Sequence, residues 1–192
     1  TRCIRHRERD LTDQAIKMTT KRFEMMGLTG DIRQMDAENL EFPDASMDAV
    51  VSWGVIHHSG NMVAIIKEIH RVLRPGGKAY LMVYNRNSIR YNVYCRIWLG
   101  IFKLKLLTNT VEDIVGSVTD GYIARHLTRR EFLELSDNFS AATITFSDEK
   151  TTILKYLFGV GKVFAPFYPI TRPLERWLAK RWGWYLEAKL VK

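Results

Sequence analysis

The chain has 192 residues, 46% of them hydrophobic and 26% charged, which is typical of one soluble globular domain. Its two cysteines, Cys3 and Cys95, exclude a disulfide framework and a cysteine-rich metal site, and they favour a reducing, cytoplasmic compartment. The formal net charge of +8 favours an anionic partner such as nucleic acid, an acidic lipid surface or a phosphorylated substrate, or else reflects a generally basic solvated surface.

The N-terminal segment is strongly charged. Residues 1–9 contain no apolar core of the signal-peptide type and no initiating Met, so we expect them to be the cut edge of a longer protein. The run of charges at 5–9 does not predict a central buried strand. Thr12 is then placed to cap a helix that Gly27 ends.

Two strands with a helix between them follow. Residues 49–53 are nearly all apolar and β-branched, which predicts a strand buried on both faces. Residues 62–73 repeat apolar side chains at helical spacing, with Asn61 at the N-cap position. A Pro-Gly-Gly turn at 75–77 ends this helix, and the apolar run 78–84 predicts the second strand. Together they predict one βαβ unit with a right-handed crossover.

Three segments carry a resemblance to a known family: residues 36–48, residues 52–58 with the sequence Ser-Trp-Gly-Val-Ile-His-His, and residues 68–77. In this order and spacing they resemble the class I S-adenosylmethionine-dependent methyltransferases, in particular the type 11 branch. The resemblance covers about the first half of the chain. It implies S-adenosyl-L-methionine as the cofactor and an α/β, Rossmann-like, doubly wound fold, whose mostly parallel sheet has an antiparallel last strand.

The resemblance also implies the cofactor contacts. Asp10 matches the acid that accepts hydrogen bonds from the ribose hydroxyls. Asp36 matches the acceptor for the adenine amine, and the backbone amide of Ala37 would face an adenine ring nitrogen. Alternatively, Asp10 caps the following helix and Asp36 bonds its own turn. The methionine part would lie against the backbone at the end of the next strand: Ser52, Trp53 and Gly54.

Two adjacent histidines, His57 and His58, follow this strand. A histidine can act as a base near neutral pH, so either is a candidate catalytic residue on the acceptor side. The alternative is structural, with the imidazole satisfying a loop carbonyl near the cofactor. Neighbouring histidines without a cysteine or carboxylate at ligand spacing do not predict a metal site.

Residues 85–127 are predicted to form a helical lid. It would be inserted after the strand at 78–84, which matches strand five of the family. Residues 89–107 are rich in aromatic and aliphatic side chains, but too charged to span a membrane. The alternative to a lid over the acceptor is a basic amphipathic helix that lies on a membrane. Residues 111–124 contain Gly116 and Gly121 and are predicted to be a loop.

Residues 128–192 are predicted to complete the sheet. Thr128 and Glu131 can form a capping box at the start of a helix. Residues 141–147 alternate as a strand does, and residues 184–191 match the antiparallel last strand, at the sheet edge. Between them, one face of a basic helix is apolar and could contact either the core or a membrane: Leu174, Trp177, Leu178 and Trp182.

The glycine-rich loop of the family and the strand before it are missing. No Gly-x-Gly-x-Gly stands ahead of Asp10. In the family, the missing first strand lies between strands two and four of the sheet. The resemblance therefore implies an N-terminally truncated sheet, with a gap or two exposed edges at that place. We expect a single domain over 1–192, in which 1–84 bind the cofactor, 85–127 form the lid and 128–192 complete the fold.

The leading functional hypothesis is S-adenosylmethionine-dependent methyl transfer to a small-molecule acceptor. The alternative is a truncated, non-catalytic module that docks on a membrane or protein through its basic aromatic C-terminal half. A dinucleotide dehydrogenase is a weaker third reading, because it does not predict the segments around Asp36 and Trp53. We expect no nucleic-acid partner, whereas peripheral membrane contact remains open. The sequence predicts neither the acceptor nor the oligomeric state.

The missing loop leads to a binding prediction. Because its amides would hold the amino-acid end of the cofactor, we expect the 192-residue chain to bind S-adenosylmethionine poorly and a version extended upstream to bind it. Isothermal titration calorimetry on both proteins measures this difference. Equal micromolar affinities would contradict it.

Overall fold

The computed structural model describes residues 6–10, 12–119, 124–148 and 168–192, and for 6–10 and 168–172 it describes the backbone alone. Within these residues, seven strands form two sheets. A two-stranded sheet pairs β1 (His6–Asp10) with β2 (Gly30–Gln34) in parallel. A five-stranded sheet has the order β3-β4-β7-β6, with β5 also paired to β4. Its members are β3 (Met47–Trp53), β4 (Leu73–Asn85), β5 (His126–Leu127), β6 (Ala141–Ser147) and β7 (Tyr185–Val191).

The helices alternate with these strands. They are α1 (Asp13–Met25), α2 (Met62–Val72), α3 (Val111–Gly116), α4 (Arg129–Leu135) and α5 (Tyr168–Trp182). A wide helix of the π type, here called the lid helix, spans Arg90–Phe102. Short 3-10 turns lie at Ile56–His58 and Lys105–Leu107.

The strand directions confirm the predicted fold class. β3 and β5 each run parallel to β4, whereas β7 is antiparallel to both β4 and β6. The predicted position of β7 at the sheet edge was wrong, because β7 lies between β4 and β6. Alternating burial of Leu186, Ala188 and Leu190 indicates which face of a strand is covered, but not whether both of its edges are paired.

The predicted N-cap and apolar stripe of α2 are confirmed, but its predicted end at the turn 75–77 was wrong, because α2 ends at Val72 and β4 already begins at Leu73. The Asn61 side chain accepts a hydrogen bond from the Ala64 amide at 3.2 Å, which caps the helix. Its apolar stripe is buried against the sheet and α4, and burying each such side chain contributes roughly 1.5–3 kcal/mol. The core formed in this way includes Ile65, Ile66, Ile69, Leu81, Val83, Phe132 and Leu186.

β3 is not buried on both faces, contrary to the prediction. Val50 packs against the core, but its neighbours Val51 and Trp53 are 68% and 49% exposed. The described residues cover only the core-facing side of this strand, and β3 is the terminal strand of its sheet. An apolar run of five residues cannot distinguish a strand covered on two faces from one covered on a single face.

A break separates the two sheets. In the described part of the chain, β1 and β2 share no backbone pairing with β3. The charged residues 6–10 do form a strand, β1, in a sheet where each strand has only one paired edge. This arrangement suits a charged strand better than a central position would.

Arg71 on α2 holds the segment after β2 in place. Its guanidinium donates to the carbonyl oxygens of Leu40 and Phe42, both at 2.7 Å. It also pairs with the carboxylates of Glu68 and Asp44. Glu68 in turn accepts from the Leu40 amide at 2.8 Å. The hydrogen bond from Arg71 holds the pKa of Glu68 below its usual range.

The predicted loop at 111–124 was wrong for its first residues, which form α3. Thr110 and Asp113 make a reciprocal capping box, which satisfies backbone amides at the start of a helix of only six residues and so stabilises it. Ile114 and Val115 are buried and pack near the lid helix. The predicted capping box of Thr128 at α4 is confirmed.

His57 is completely buried in the core. Its ring centroid lies 4.2 Å from that of Tyr84, and neither ring nitrogen has a hydrogen-bond partner among the described residues. Burial, together with the neighbouring His58 and His126, lowers the pKa of His57 to about 3, while the backbone of Met82 acts in the opposite direction. The folded protein therefore holds this imidazole neutral.

We expect His57 to make the protein less stable as the pH falls. The pKa of an unfolded histidine is about 6.5. Between that value and about 3, the unfolded chain therefore binds a proton that the folded chain excludes. Relative to His57→Phe, the wild type should lose about 1.4 kcal/mol of unfolding free energy per pH unit below about 6.

Urea denaturation of both proteins at several pH values measures this loss. Titrating groups shared by the two proteins cancel in the difference. Ile56→Val, a core change beside His57, serves as the control, because its cost of about 0.5–1.5 kcal/mol should not vary with pH. A difference between wild type and His57→Phe that is constant from about pH 6 to about pH 4 would contradict the expectation.

Candidate functional site

The loops at the carboxyl ends of β2 and β3 touch each other. The Glu38 carboxylate accepts hydrogen bonds from the Ser59 hydroxyl and from the Asn61 amide. Asp10 ends β1 opposite Gln34, at the same end of the two-stranded sheet. In open parallel sheets ligands bind at this end.

Asp36 is solvent-exposed in the loop after β2. Its Oδ1 accepts the Glu38 amide at 2.8 Å, which is the turn contact of the alternative hypothesis. An ionised carboxylate has about four acceptor positions, so this contact leaves capacity for a ligand amine. Ala37 is half-buried and packs against the core, so the backbone that carries its amide is anchored.

The segment Ser52 to Gly54 closes β3. Gly54 has a φ of 75°, in the left-handed region that favours glycine, and its amide donates to the Met82 carbonyl at 3.4 Å. Trp53 points away from the core and is half-exposed. A glycine here keeps the backbone accessible, as the predicted contact with a cofactor requires.

The two candidate histidines differ. His57, with a pKa of about 3, is a weak base near neutral pH and is shielded from solvent. His58 is half-buried, and its ring lies 4.2 Å from that of His57. The structure therefore places His57 in the supporting core and leaves His58 nearer to solvent.

A cavity of about 610 Å³ lies beside these loops, between the lid helix, α3, β5 and α4. This volume is in the range of small-molecule pockets. Tyr91, Val115 and Leu127 are apolar or aromatic parts of its lining. The polar part of the lining is Arg86, Glu112, Arg125, His126, Glu131 and Glu134.

Arg125 connects the cavity with the loop after β3. Its backbone amide donates to the His57 carbonyl at 3.0 Å, and its guanidinium donates to the Gly60 carbonyl at 2.8 Å. Met62, the first residue of α2, also lines the cavity. The cavity thus borders the loop to which the resemblance assigns the methionine part of the cofactor.

His126 is the buried polar residue of the cavity wall, with 6% of its surface exposed. Its Nδ1 lies 3.1 Å from the Ala124 carbonyl. Burial is the main cause that lowers the pKa of His126 to about 4, and the charges of Arg86 and Arg90 lower it as well. The hydrogen bond to the Ala124 carbonyl and the charge of Glu112 act in the opposite direction. A neutral imidazole that bonds a carbonyl through Nδ1 carries its proton there. Nε2 therefore carries the lone pair, and this atom is buried without a hydrogen-bond partner among the described residues.

Arg86 is neutralised within the cavity wall. Its Nη1 lies 2.7 Å from a Glu131 carboxylate oxygen, and its Nε donates to the His126 carbonyl. Tyr91 donates to Glu112 at 3.3 Å, and burial followed by Glu112 raises the pKa of this phenol. Tyr91 therefore stays uncharged near neutral pH.

The sequence did not indicate Arg86, Tyr91 or His126 as site residues. For Arg86, the sequence position was an indication. This residue directly follows β4, and ligands bind at the carboxyl ends of parallel strands. His126 lies two residues before the capping box of Thr128, and its own sequence position carries no pattern of a site residue. Only the three-dimensional fold shows that these segments share one wall.

Two features are absent from the residues that the structure describes. In these ranges, no three His, Cys, Asp or Glu side chains lie close enough together to hold a metal ion. No helix in the same ranges combines the length and the apolar character needed to cross a membrane.

Comparisons with known proteins agree with the resemblance. A family model described as a methyltransferase domain matches residues 2–81. A ubiquinone/menaquinone biosynthesis C-methyltransferase (UbiE) of Pseudomonas putida is 30% identical over 110 residues, which are 54% of this chain and 43% of that protein. A phthiotriol/phenolphthiotriol dimycocerosates methyltransferase of Mycobacterium tuberculosis is 41% identical over 68 residues, 35% of this chain and 24% of that protein. The matches thus span less than half the length of these relatives.

Solved structures show the same fold. The YcgJ protein of Bacillus subtilis has a TM-score of 0.63 at 16% identity, covering 98% of this chain and 82% of that one. A Thermotoga maritima S-adenosylmethionine-dependent methyltransferase, described as a possible histamine N-methyltransferase, has a TM-score of 0.57 at 16% identity, covering 96% and 72%. The matched methyltransferase domain and the shared fold support the resemblance to the class I S-adenosylmethionine-dependent methyltransferases of the type 11 branch, which implies S-adenosylmethionine as the cofactor.

Proposed function

We propose that the protein transfers a methyl group to a small molecule held in the cavity beneath the lid helix. The observation that carries this proposal is the pair of Arg125 hydrogen bonds, which seat the cavity wall on the loop after β3. In the proposal, residues 1–84 hold the cofactor, residues 85–127 form the lid and residues 128–192 complete the sheet.

When bound, S-adenosylmethionine supplies a sulfonium methyl group that an oxygen, nitrogen or carbon nucleophile can displace directly. Such a displacement depends mainly on positioning the two reactants. Asp36 would accept the adenine amine, the Ala37 amide would face the ring, and Asp10 would accept the ribose hydroxyls. Gly54, with its neighbours Ser52 and Trp53, would bring the backbone close to the amino-acid end.

The cavity supports the acceptor half of the proposal. Its wall is anchored by Arg86 and Glu131, so its shape is set before the acceptor arrives. His57 would support this wall from the core through its packing on Tyr84. His58, nearer to solvent, stays a candidate base for a nucleophile that must lose a proton. One relative is a ubiquinone/menaquinone biosynthesis C-methyltransferase and the other a phthiotriol/phenolphthiotriol dimycocerosates methyltransferase, and both are compatible with a small-molecule acceptor.

The cofactor assignment is tested at Asp36. Asn at this position keeps the oxygen that bonds the Glu38 amide, but replaces the second carboxylate oxygen with an amide that cannot accept the adenine amine. We expect Asp36→Asn to weaken S-adenosylmethionine binding about tenfold, or about 1.4 kcal/mol.

Calorimetry should use the protein in the full extent that its gene encodes. Glu41→Gln is the matched control, because it removes one negative charge from an exposed position of the same segment. The control should bind within about twofold of the wild type. Equal affinities of Asp36→Asn and the control would remove Asp36 from the site.

A second proposal concerns the end of the lid helix, which we infer lies on an anionic membrane surface. Four apolar side chains here are strongly exposed: Ile101 at 56%, Phe102 at 68%, Leu104 at 63% and Leu107 at 78%. Lys103 and Lys105 alternate with them, which suits an anionic lipid headgroup region. Leu104 has a φ of 56°, an uncommon conformation for a bulky residue that the turn imposes. We call residues 101–107 the lid tip.

Vesicle co-sedimentation tests the lid tip. Vesicles that contain phosphatidylglycerol should bind the wild type, less at high salt, and those of phosphatidylcholine alone should bind it weakly. Phe102→Ser with Leu107→Ser should reduce binding about tenfold or more, because two apolar anchors are lost. The control, Met18→Ser with Met25→Ser, removes two exposed apolar side chains of α1 and should bind normally.

The same assay can contradict the proposed membrane contact of the lid tip. The basic helix α5 exposes Leu174 and Trp177, at 51% and 55%, and is the competing membrane surface. Loss of binding in Trp177→Ser with an unaffected lid-tip variant would place the contact on α5 instead. Salt-insensitive binding by all variants would contradict an anionic surface altogether.

A further inference from the structure

Glu38 lies between the loop after β2 and the loop after β3, and it is hydrogen-bonded on both sides. Its backbone amide donates to the Asp36 carboxylate at 2.8 Å. Its own carboxylate accepts from the Ser59 hydroxyl and, at 3.2 Å, from the Asn61 amide. One half-buried residue thus connects the two loops.

The loop after β3 offers a fixed partner for this connection. The Asn61 amide also donates to the Ser59 hydroxyl oxygen at 2.8 Å, and the Asn61 side chain caps α2. From the side of the cavity, Arg125 donates to the Gly60 carbonyl at 2.8 Å. Because the apolar stripe of α2 is buried in the core, Ser59 and Asn61 hold defined positions before any ligand binds.

The loop after β2 depends on side-chain contacts for its position relative to β3. Among the described residues, β1 and β2 share no backbone pairing with β3. Arg71 anchors the later part of the segment through the carbonyls of Leu40 and Phe42, and Ala37 packs against the core. Glu38 adds the hydrogen bonds that reach the loop after β3 itself. The fold therefore has other anchors, whereas the spacing of the two loops depends on Glu38.

The proposed cofactor contacts lie in two halves, on the two sides of this connection. The adenosine half is Asp10, Asp36 and Ala37, and the amino-acid half is Ser52, Trp53 and Gly54. A ligand that spans both halves binds tightly only when they are held at the separation that fits the ligand. A ligand that occupies one half does not depend on that separation.

We propose that Glu38 is a positioning residue, and that its hydrogen bonds to the loop after β3 set the distance between the adenosine half and the amino-acid half of the cofactor site. Glu38 itself touches no ligand and acts through Ser59 and Asn61. The inference rests on the proposed function, because the two halves are those of a site for S-adenosylmethionine. It makes the affinity for the whole cofactor depend on a residue outside the cofactor contacts.

The test compares two ligands by calorimetry, with the protein in the full extent that its gene encodes. S-adenosylhomocysteine spans both halves of the site, and adenosine occupies the adenosine half alone. Glu38→Ala deletes the carboxylate but keeps the backbone amide that bonds Asp36. We expect this variant to bind S-adenosylhomocysteine about tenfold more weakly and adenosine within about twofold of the wild type. A merely structural role would change the two affinities by the same factor.

Three further variants connect the effect with the hydrogen bonds of Glu38. Glu41→Ala makes the same substitution at an exposed position of the same segment and should change neither affinity. Glu38→Gln retains an acceptor oxygen and should recover most of the lost affinity for S-adenosylhomocysteine. Ser59→Ala added to Glu38→Ala should cause no further loss, because the two side chains act through one contact. Where Glu38→Ala fails to fold, Ser59→Ala alone gives the same comparison of ligands.

The same titrations separate failure of this proposal from failure of the proposed function. A wild type that binds S-adenosylhomocysteine, with a Glu38→Ala variant that binds it equally well or loses affinity for adenosine to the same extent, overturns the positioning role alone. A Glu38→Gln variant as weak as Glu38→Ala also overturns it, because an acceptor oxygen would then not suffice. A wild type that binds no S-adenosylhomocysteine contradicts the proposed function, and the role of Glu38 falls with it.

Discussion

Side-chain hydrogen bonds, rather than backbone pairing, join the two sheets of the described chain. Arg71 holds the carbonyls of Leu40 and Phe42 against α2, and Glu38 binds the loop after β3 through Ser59. Because β2 and β3 are not paired, the position of Asp36 relative to Gly54 depends on these contacts. Together with the packing of Ala37 on the core, these contacts hold the candidate cofactor site in shape.

The acceptor side rests on a different element, a cluster of buried rings. Tyr84 lies 4.2 Å from His57, 5.1 Å from His126 and 5.0 Å from Trp184. This packing joins the loop after β3, the short strand β5 and the start of β7 around one side chain. Both imidazoles are neutral because burial makes their protonation costly, so the cluster is rigid and uncharged near neutral pH. A rigid wall can orient a small ligand without paying for its own ordering.

Local signals predicted the parts of this fold that local physics determines. The capped helix α2, the capping box of Thr128 and the alternation along β7 each follow from spacing within one segment. The exposure of β3 and the central place of β7 did not follow, because periodicity reports which face is covered and not which neighbours are present. α3 did not follow either, because Gly116 and Gly121 predicted a loop and the helix is only six residues long.

Local signals and the family resemblance also suggested part of the candidate site, which stays a prediction. Asp10, Asp36 and Gly54 stand at strand ends, where a family motif and a general rule agree on their positions. The cavity is formed by side chains from the lid helix, α3, β5 and α4, segments far apart in the chain. The burial and the neutral state of His126 in its wall depend on how these segments pack, which a sequence pattern does not contain.

The central claim is that the strand ends near Asp36 and Gly54 and the cavity beside them form one continuous site. The crystal structure of the complex with S-adenosylhomocysteine, in the full extent of the protein that its gene encodes, measures this most directly. We expect the adenine amine within hydrogen-bond distance of the Asp36 carboxylate, the amino-acid end against Gly54, and the sulfur facing the cavity. A nucleoside bound elsewhere, or a sulfur separated from the cavity by packed side chains, would contradict the account.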